Sequence, residues 1–390
     1  MKDCYVNNHI HTTYSFSPYT PKTAVAAARA AGLTTCGLMD HDSIGGAHEF
    51  IRAGRELGMP VTVGLETRVT LKGTFLETRR MNNPDQNGVA YVAIHGVPHQ
   101  NIDYINGYFE KYRVERNKRN KAMSEKLAAV FKPFGIDFTF DEAKRYALIK
   151  QGGTMTERTL CWAAALKIID KFGKGEQIAK FLKEDLGINA GDKIAAYLAD
   201  KDNTHYEYDL LGALKSGLVG RFYIDADREC MPVDGFIAFT KKVGAISAYA
   251  YLGDVGNSAT GDKKAQTFED GYLPELFGYL KDAGFNAVTY MPSRNTLEQL
   301  ARVRALCAQY GFFEISGEDI NSSRQSFICA ALERPEFAHL ITSTWALIGH
   351  ENAATENIEN GMFSEKTIKE MPYLKERINY FAASGKKFSI

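Results

Sequence analysis

The sequence predicts an α/β fold of the parallel β/α-barrel kind, interrupted by a mainly helical insertion. Three observations carry that expectation. Short apolar runs of strand length alternate with helix-like stretches over the first hundred residues, and again after Gly235. The early runs end on polar residues of catalytic type: His9, Asp40-His41, Glu66 and His95. From about Asn101 to Asp234 the alternation gives way to segments rich in Lys, Arg, Glu and Ala. Strand, helix, strand is the rhythm of βα units. In parallel barrels the reacting side chains stand just past the C-terminal ends of the strands.

The elements follow in order. Pro21 to Ala31 reads as a helix, with Thr20 as its N-cap, Pro21 at the first position and Gly32 as the stop. Thr35 to Met39 is a short strand, followed by a helix from Ala47 to Leu57 that Gly58 and Pro60 close. Val61 to Leu65 and Val89 to Ile94 are further strands. Glu110 to Phe131, Thr156 to Phe172 and Glu176 to Leu186 are expected helices of the insertion. Beyond it, Ala245 to Ala250, Ala287 to Tyr290 and Phe312 to Ile315 read as strands, with a helix from Leu297 to Gln309 between the last two. The expected organisation is a barrel from residues 1–100 and 235–350, an insertion at 101–234 near the mouth, and a less patterned tail at 351–390.

The bulk properties narrow the function. With 47 Lys and Arg against 47 Asp and Glu, the chain is formally neutral, and nothing global points to nucleic acid or to a membrane surface. No run approaches the roughly 20 apolar residues that span a bilayer, and the opening residues lack a secretory apolar core. The cytoplasm is the expected compartment. The six cysteines have no CxxC spacing, so buried thiols are expected rather than disulfides or a thiolate zinc site. Lys111 to Lys126 is locally basic; a solvated helix face is the plain expectation, and a phosphate- or nucleic-acid-contacting face the sharper one.

His9-Ile10-His11 opens the chemistry. On a strand, positions i and i+2 face the same way, so the two imidazoles can share a divalent metal. His41 and His95, with Asp40 and Glu66, fall at other strand ends, and such groups are costly to bury without partners.

In this setting His9-Ile10-His11-Thr12-Thr13-Tyr14-Ser15 resembles the first motif of the polymerase and histidinol phosphatase (PHP) superfamily. Leu38-Met39-Asp40-His41-Asp42, Gly64-Leu65-Glu66, Ile94-His95-Gly96 and Ile315-Ser316-Gly317-Glu318-Asp319-Ile320-Asn321 are similar to its later motifs. The resemblance covers roughly residues 5–100 and 235–325. It implies a distorted seven-stranded β/α barrel with one to three divalent ions, of zinc, manganese or iron. One ion would use His9, His11, Glu66 and Asp319; a second would share Glu66 and add His95; a third would use His41, beside Asp40. Glu66, Asp319 and His41 would carry the catalysis, with Glu66 bridging two ions and a bridging hydroxide attacking phosphorus in line.

The sequence departs from that pattern at several points. Phe16 and Ser17 stand where a carboxylate or histidine is common, Tyr251 replaces a strand-end histidine, Thr159 replaces a phosphate-binding histidine, and Asn321 replaces the closing one. Asp254 and His350 are candidate substitute metal ligands, and Asn321 retains a carbonyl oxygen. Arg294, Arg158 and Arg324 are candidate phosphate-binding residues, and Lys263 and Lys264 could meet an anionic substrate. The expected activity is hydrolysis of a small phosphate ester by a metal-dependent enzyme. An oligonucleotide phosphoesterase and a non-catalytic metal-binding barrel are the alternatives.

Overall fold

The computed structural model describes residues 5–256 and 266–387. Lys263 and Lys264 lie outside them. Eight strands form one sheet: β1 Val6–Ile10, β2 Thr35–His41, β3 Val61–Thr70, β4 Val89–His95, β5 Met231–Pro232, β6 Ile246–Ala250, β7 Ala287–Tyr290 and β8 Phe313–Ser316. Seven of them run in the order β1-β2-β3-β4-β6-β7-β8, and β5 extends the outer end of β3. The curl nearly closes where the chain after β8 meets β1. There the His11 amide donates to the Ile320 carbonyl at 2.9 Å, and the Ile320 amide to the His9 carbonyl at 3.1 Å. The fold is a mixed α/β barrel of seven strands, as the sequence led us to expect.

The strands are not all parallel. β4 is antiparallel to both β3 and β6. The reason is in the connection: residues 71–88 hold no helix, and a parallel return would require a crossover of a dozen or more residues, usually helical. The reversal moves His95. Glu66 faces Ala93 in the register, while His95 lies two residues deeper, opposite Ile246 at the start of β6.

The flanking helices form as their caps dictate. Thr20 accepts a hydrogen bond from the Thr23 amide, Pro21 opens the helix Pro21–Ala31, and Gly32 closes it at φ 99°. Between β4 and β5 the structure is helical, with Glu110–Phe131, Glu157–Phe172 and Tyr206–Phe222 as the longest pieces. Met123, Leu127, Leu160, Ala164, Leu210 and Leu214 give these helices an apolar cluster separate from that of the barrel.

The barrel floor is covered by the helix Ala338–Glu356. Ala346 and Leu347 share a cluster with Met39, Ala93, Ile246, Ala287 and Phe313, and Glu351 accepts the Val63 amide at 2.9 Å. The C-terminal stretch, which has little sequence pattern, is helical too: Leu374–Lys387 packs on the floor helix. Two glycines permit that crossing. A Cβ on Gly349 would stand 2.0 Å from the Phe381 carbonyl oxygen, and one on Gly385 2.1 Å from that of Trp345.

Candidate metal centre

The ends of β1, β2, β3 and β8 converge on one point. His9 and His11 approach Nε2 to Nε2 at 3.2 Å. Glu66 Oε2 lies 3.8 Å from His9 Nε2, and Asp319 Oδ1 lies 3.2 Å from His11 Nε2. His41 Nδ1 is 3.0 Å from Glu66 Oε2, though off the axis of a hydrogen bond. One nitrogen each of His9 and His11 and an oxygen of Glu66 lie within 4.8 Å of one another, close enough for a single ion to touch all three. Two imidazoles and one or two carboxylates suit a divalent transition metal.

The charges are matched before any ion is added. Burial alone would disfavour the charged form of each group. It lowers the basicity of His9, as that rule requires. For His11 the Asp319 carboxylate outweighs burial and raises it. For Glu66, burial pushes the carboxyl pKa up, and His41 and its neighbours bring it below the ordinary range. Asp319 is held well below that range, chiefly by His11, again against burial.

The loop after β1 fixes how His11 points. Ser15 Oγ donates to Asp40 Oδ1 at 2.5 Å and lies 3.1 Å from His11 Nδ1. With its hydrogen committed to Asp40, Ser15 can only accept from His11 Nδ1–H. That assignment leaves the Nε2 lone pair for a metal. Asp40 also takes the Thr12 amide at 2.7 Å and the Thr12 hydroxyl at 2.6 Å. Expected as a ligand, Asp40 instead spends both oxygens bracing the loop. Ser15→Ala is expected to weaken metal affinity by about 10–100-fold, measured by titration of the apo-protein. Unchanged affinity would mean that the hydroxyl orients nothing.

Four further candidate ligands do not join the group. His95 is buried inside the barrel, its Nε2 without a hydrogen-bond partner, and burial pulls its pKa down to about 3. Asp254 accepts the Phe268 amide at 2.6 Å and closes its own loop. His350 sits in the floor helix, where Nδ1 accepts the Met362 amide at 2.9 Å and burial lowers its pKa to about 4. Asn321 turns its amide to Asp319 Oδ1 at 2.7 Å, so it orients a ligand. The other departures also have local partners. Tyr251 donates to Asp270 at 2.6 Å. Thr159 accepts the Thr156 amide at 3.1 Å and caps its helix.

A cleft of about 530 Å³ opens over the centre, lined by His9, His41, Glu66 and Asp319 and by Arg158 and Arg294. Arg158 donates to the Asn321 carbonyl at 3.1 Å, and its guanidinium lies 5.7 Å from the centre of the Phe16 ring. Arg294 donates to the Leu252 carbonyl at 3.2 Å. Neither forms a salt bridge among the described residues. Arg324 is different: Asp209 takes two of its nitrogens, at 2.6 and 2.9 Å, and Tyr197 stacks on it, so it is tied down outside the cleft.

The basic run is a solvated face only in its lysines, which are exposed. Arg113, Arg116 and Arg119 turn inward from the helix Glu110–Phe131 and are buried. Arg116 pairs with Asp42 and Glu157, Arg119 with Glu157 and Glu229, and Arg68 of β3 with Glu229 at 2.9 Å. Asp42, which Thr67 also bonds at 2.6 Å, directly follows His41. Three cations and three carboxylates thus join β3 and the loop after β2 to the helical segment.

Residues 7–178 match the family profile of the PHP domain. No curated protein matches the sequence. Two solved structures share the fold. One is a candidate metal-dependent phosphoesterase from Bifidobacterium adolescentis, with TM-score 0.53, 18% identity, and coverage of 84% of this chain and 94% of that one. The other is an amidohydrolase from Chromobacterium violaceum with bound sulfate and no metal, with TM-score 0.55, 16% identity and coverage of 87% and 96%. The profile match begins one residue into β1 and takes in His9, His11, His41 and Glu66, four of the five residues that converge on the centre, so the PHP-domain likeness falls on the part of the chain that builds the site.

Proposed function

We propose that the protein is a cytoplasmic metal-dependent hydrolase of small phosphate monoesters, working with one principal divalent ion. The observation that carries this reading is a metal-ready group set beside two guanidiniums with no carboxylate partner, all lining one cleft. His9, His11, Glu66 and Asp319 would hold the ion, with His41 beside Glu66. When bound, such an ion supplies Lewis acidity and lowers the pKa of a water toward about 7.

The rest of the work falls to the chain. Arg158 and Arg294 can grip phosphoryl oxygens in fixed, fork-like geometry. Burial lowers the pKa of both, yet a guanidinium starting near 12.5 stays charged at neutral pH. Asn321 and Ser15 hold Asp319 and His11 in register, so little reorganisation is needed when a substrate arrives. The non-catalytic alternative draws on the ligands the second site lacks, since Tyr251, Asn321 and His95 are otherwise engaged or deeper.

Phosphate release from monoesters by the protein loaded with manganese or zinc tests the proposal. Turnover supports it; bound metal with no release across mono- and diesters favours the binding protein. Arg294→Ala is expected to raise KM by roughly 10–100-fold with metal content intact, the usual worth of hydrogen bonds to a charged group. Loss of bound metal would make Arg294 structural. A saturating ion should also raise the melting temperature, since a ligand at 100 times its Kd stabilises by about 2.7 kcal/mol.

A further inference from the structure

The cleft is far larger than a phosphate group. About 530 Å³ belongs to the class of pockets that enclose whole drug-sized ligands, roughly 300–1,000 Å³. Arg158 and Arg294 both lie within the field of Asp319, at the metal end. The remaining volume is therefore free for whatever the phosphoryl group is attached to.

One wall of that volume is a single helix face. Gly212, Lys215, Ser216 and Val219 of Tyr206–Phe222 all line the cleft, and their spacing of three and four residues puts them on one stripe. Gly212 has no backbone reason to be glycine. It sits mid-helix with ordinary negative φ, where glycine costs about 1 kcal/mol relative to alanine. Nor does packing demand it: among the described residues a Cβ there would meet nothing within 4 Å. Gly217, on a different face, shows the contrast, since a Cβ there would strike Ile188 at 2.6 Å. The missing side chain at Gly212 gives its room to the cleft.

The chemistry of the other lining indicates what fills that room. Leu252, Phe268 and Met291 are apolar. Among the described residues, the two charged ones lining the cleft away from the metal group and its arginines are Lys215 and Asp85, of opposite sign. They make a poor seat for a second phosphate. We propose that the site takes monoesters whose leaving group is a neutral, ring-sized apolar body lying along the Gly212–Ser216 stripe. The inference rests on the phosphoester reading only for the position of the phosphoryl group.

The test uses binding, so that it stands apart from turnover. Calorimetric titration of the metal-loaded full chain would compare a naphthyl phosphonate with methylphosphonate, for wild type, Gly212→Ala and Gly212→Leu. The naphthyl compound is expected to bind about 10-fold tighter or more than the methyl one in wild type. Gly212→Leu should remove most of that difference and Gly212→Ala part of it, both leaving methylphosphonate affinity within about two-fold, and a melting temperature at or above that of wild type in the alanine variant, which helix propensity favours, certifies the fold. Equal affinity for the two phosphonates, no binding of the naphthyl one, or a leucine variant indistinguishable from wild type would overturn the proposal. The expected pattern without phosphate release from naphthyl phosphate would instead overturn the hydrolase reading alone.

Discussion

Glu66→Ala is expected to empty the metal centre and to lower phosphate release by on the order of a thousand-fold or more. Removing even an outer partner of a metal ligand costs about 10–100-fold, and Glu66 is itself the carboxylate closest to both His9 and His41. Without it, His9 and His41 lose their nearest carboxylate and nothing in its place could ligate a dication. Metal content by elemental analysis and turnover on a monoester should fall together. His9→Ala should behave alike. Unchanged metal stoichiometry in either variant would remove the site as described, whereas lost turnover with metal retained would make Glu66 a purely catalytic group. Melting of the apo-proteins separates either result from misfolding.

Glu157→Ala is expected to have the largest effect on stability, roughly 3–5 kcal/mol, as befits a buried charge left without its partner. Arg116 and Arg119 both end on this carboxylate, so its loss leaves three guanidiniums facing two carboxylates, Asp42 and Glu229, in the interior. Glu157→Gln keeps the shape and one of the two accepting oxygens and should lose less. Denaturant unfolding of the three proteins checks the order; a Glu157→Ala midpoint equal to wild type would show the network to be energetically idle. The same carboxylate sets an acid limit. Burial pushes its pKa up, and the arginines overcome that and hold it well below the ordinary range. A folded-state pKa depressed below the unfolded one gives stability that is fully present above the ordinary glutamate value of 4.5 and is lost as pH falls below it toward the folded-state pKa. Asp42 is lowered likewise by Arg116 against burial and adds in the same direction.

Much of this architecture is written locally. Pro21–Ala31 follows from its caps, Ala47–Leu57 from apolar spacing and its glycine stop, and Glu110–Phe131 from a run of good helix formers, and their ends agree with those read from the sequence. The residues at the ends of β1, β2 and β3 also meet where strand-end logic puts them. What local pattern does not carry is direction. Alternation marks Val89–His95 as a strand but is blind to which way it runs, so His95 was expected at the mouth. The composition of the connection was the available signal, because residues 71–88 end in Asn82-Asn83-Pro84-Asp85-Gln86-Asn87-Gly88, a turn-forming run unsuited to a crossover helix that could return the chain in parallel. The ion network was hidden for a different reason. A count of charges makes Lys111–Lys126 basic, yet the arginines alone recur at 113, 116 and 119, three apart on one helix face, while Lys111, Lys118 and Lys121 fall elsewhere. Spacing by residue type would have separated buried cations from solvated ones. Ser15 stood in view within its motif, but its role needs Asp40, twenty-five residues on, and only the fold brings them together.

The six buried charges between the barrel and the helical segment have a consequence for motion. Any hinge that swung Glu110–Phe131 or Glu157–Phe172 away from β3 would uncover or unpair guanidiniums and carboxylates now closed to water, an excursion far steeper than the opening of an ordinary lid. Arg158 adjoins Glu157, so it is carried on the anchored side of that seam. The side of the entrance that carries Arg158 is accordingly a fixed wall, not a jaw: against it substrates are sorted by whether they fit as they arrive.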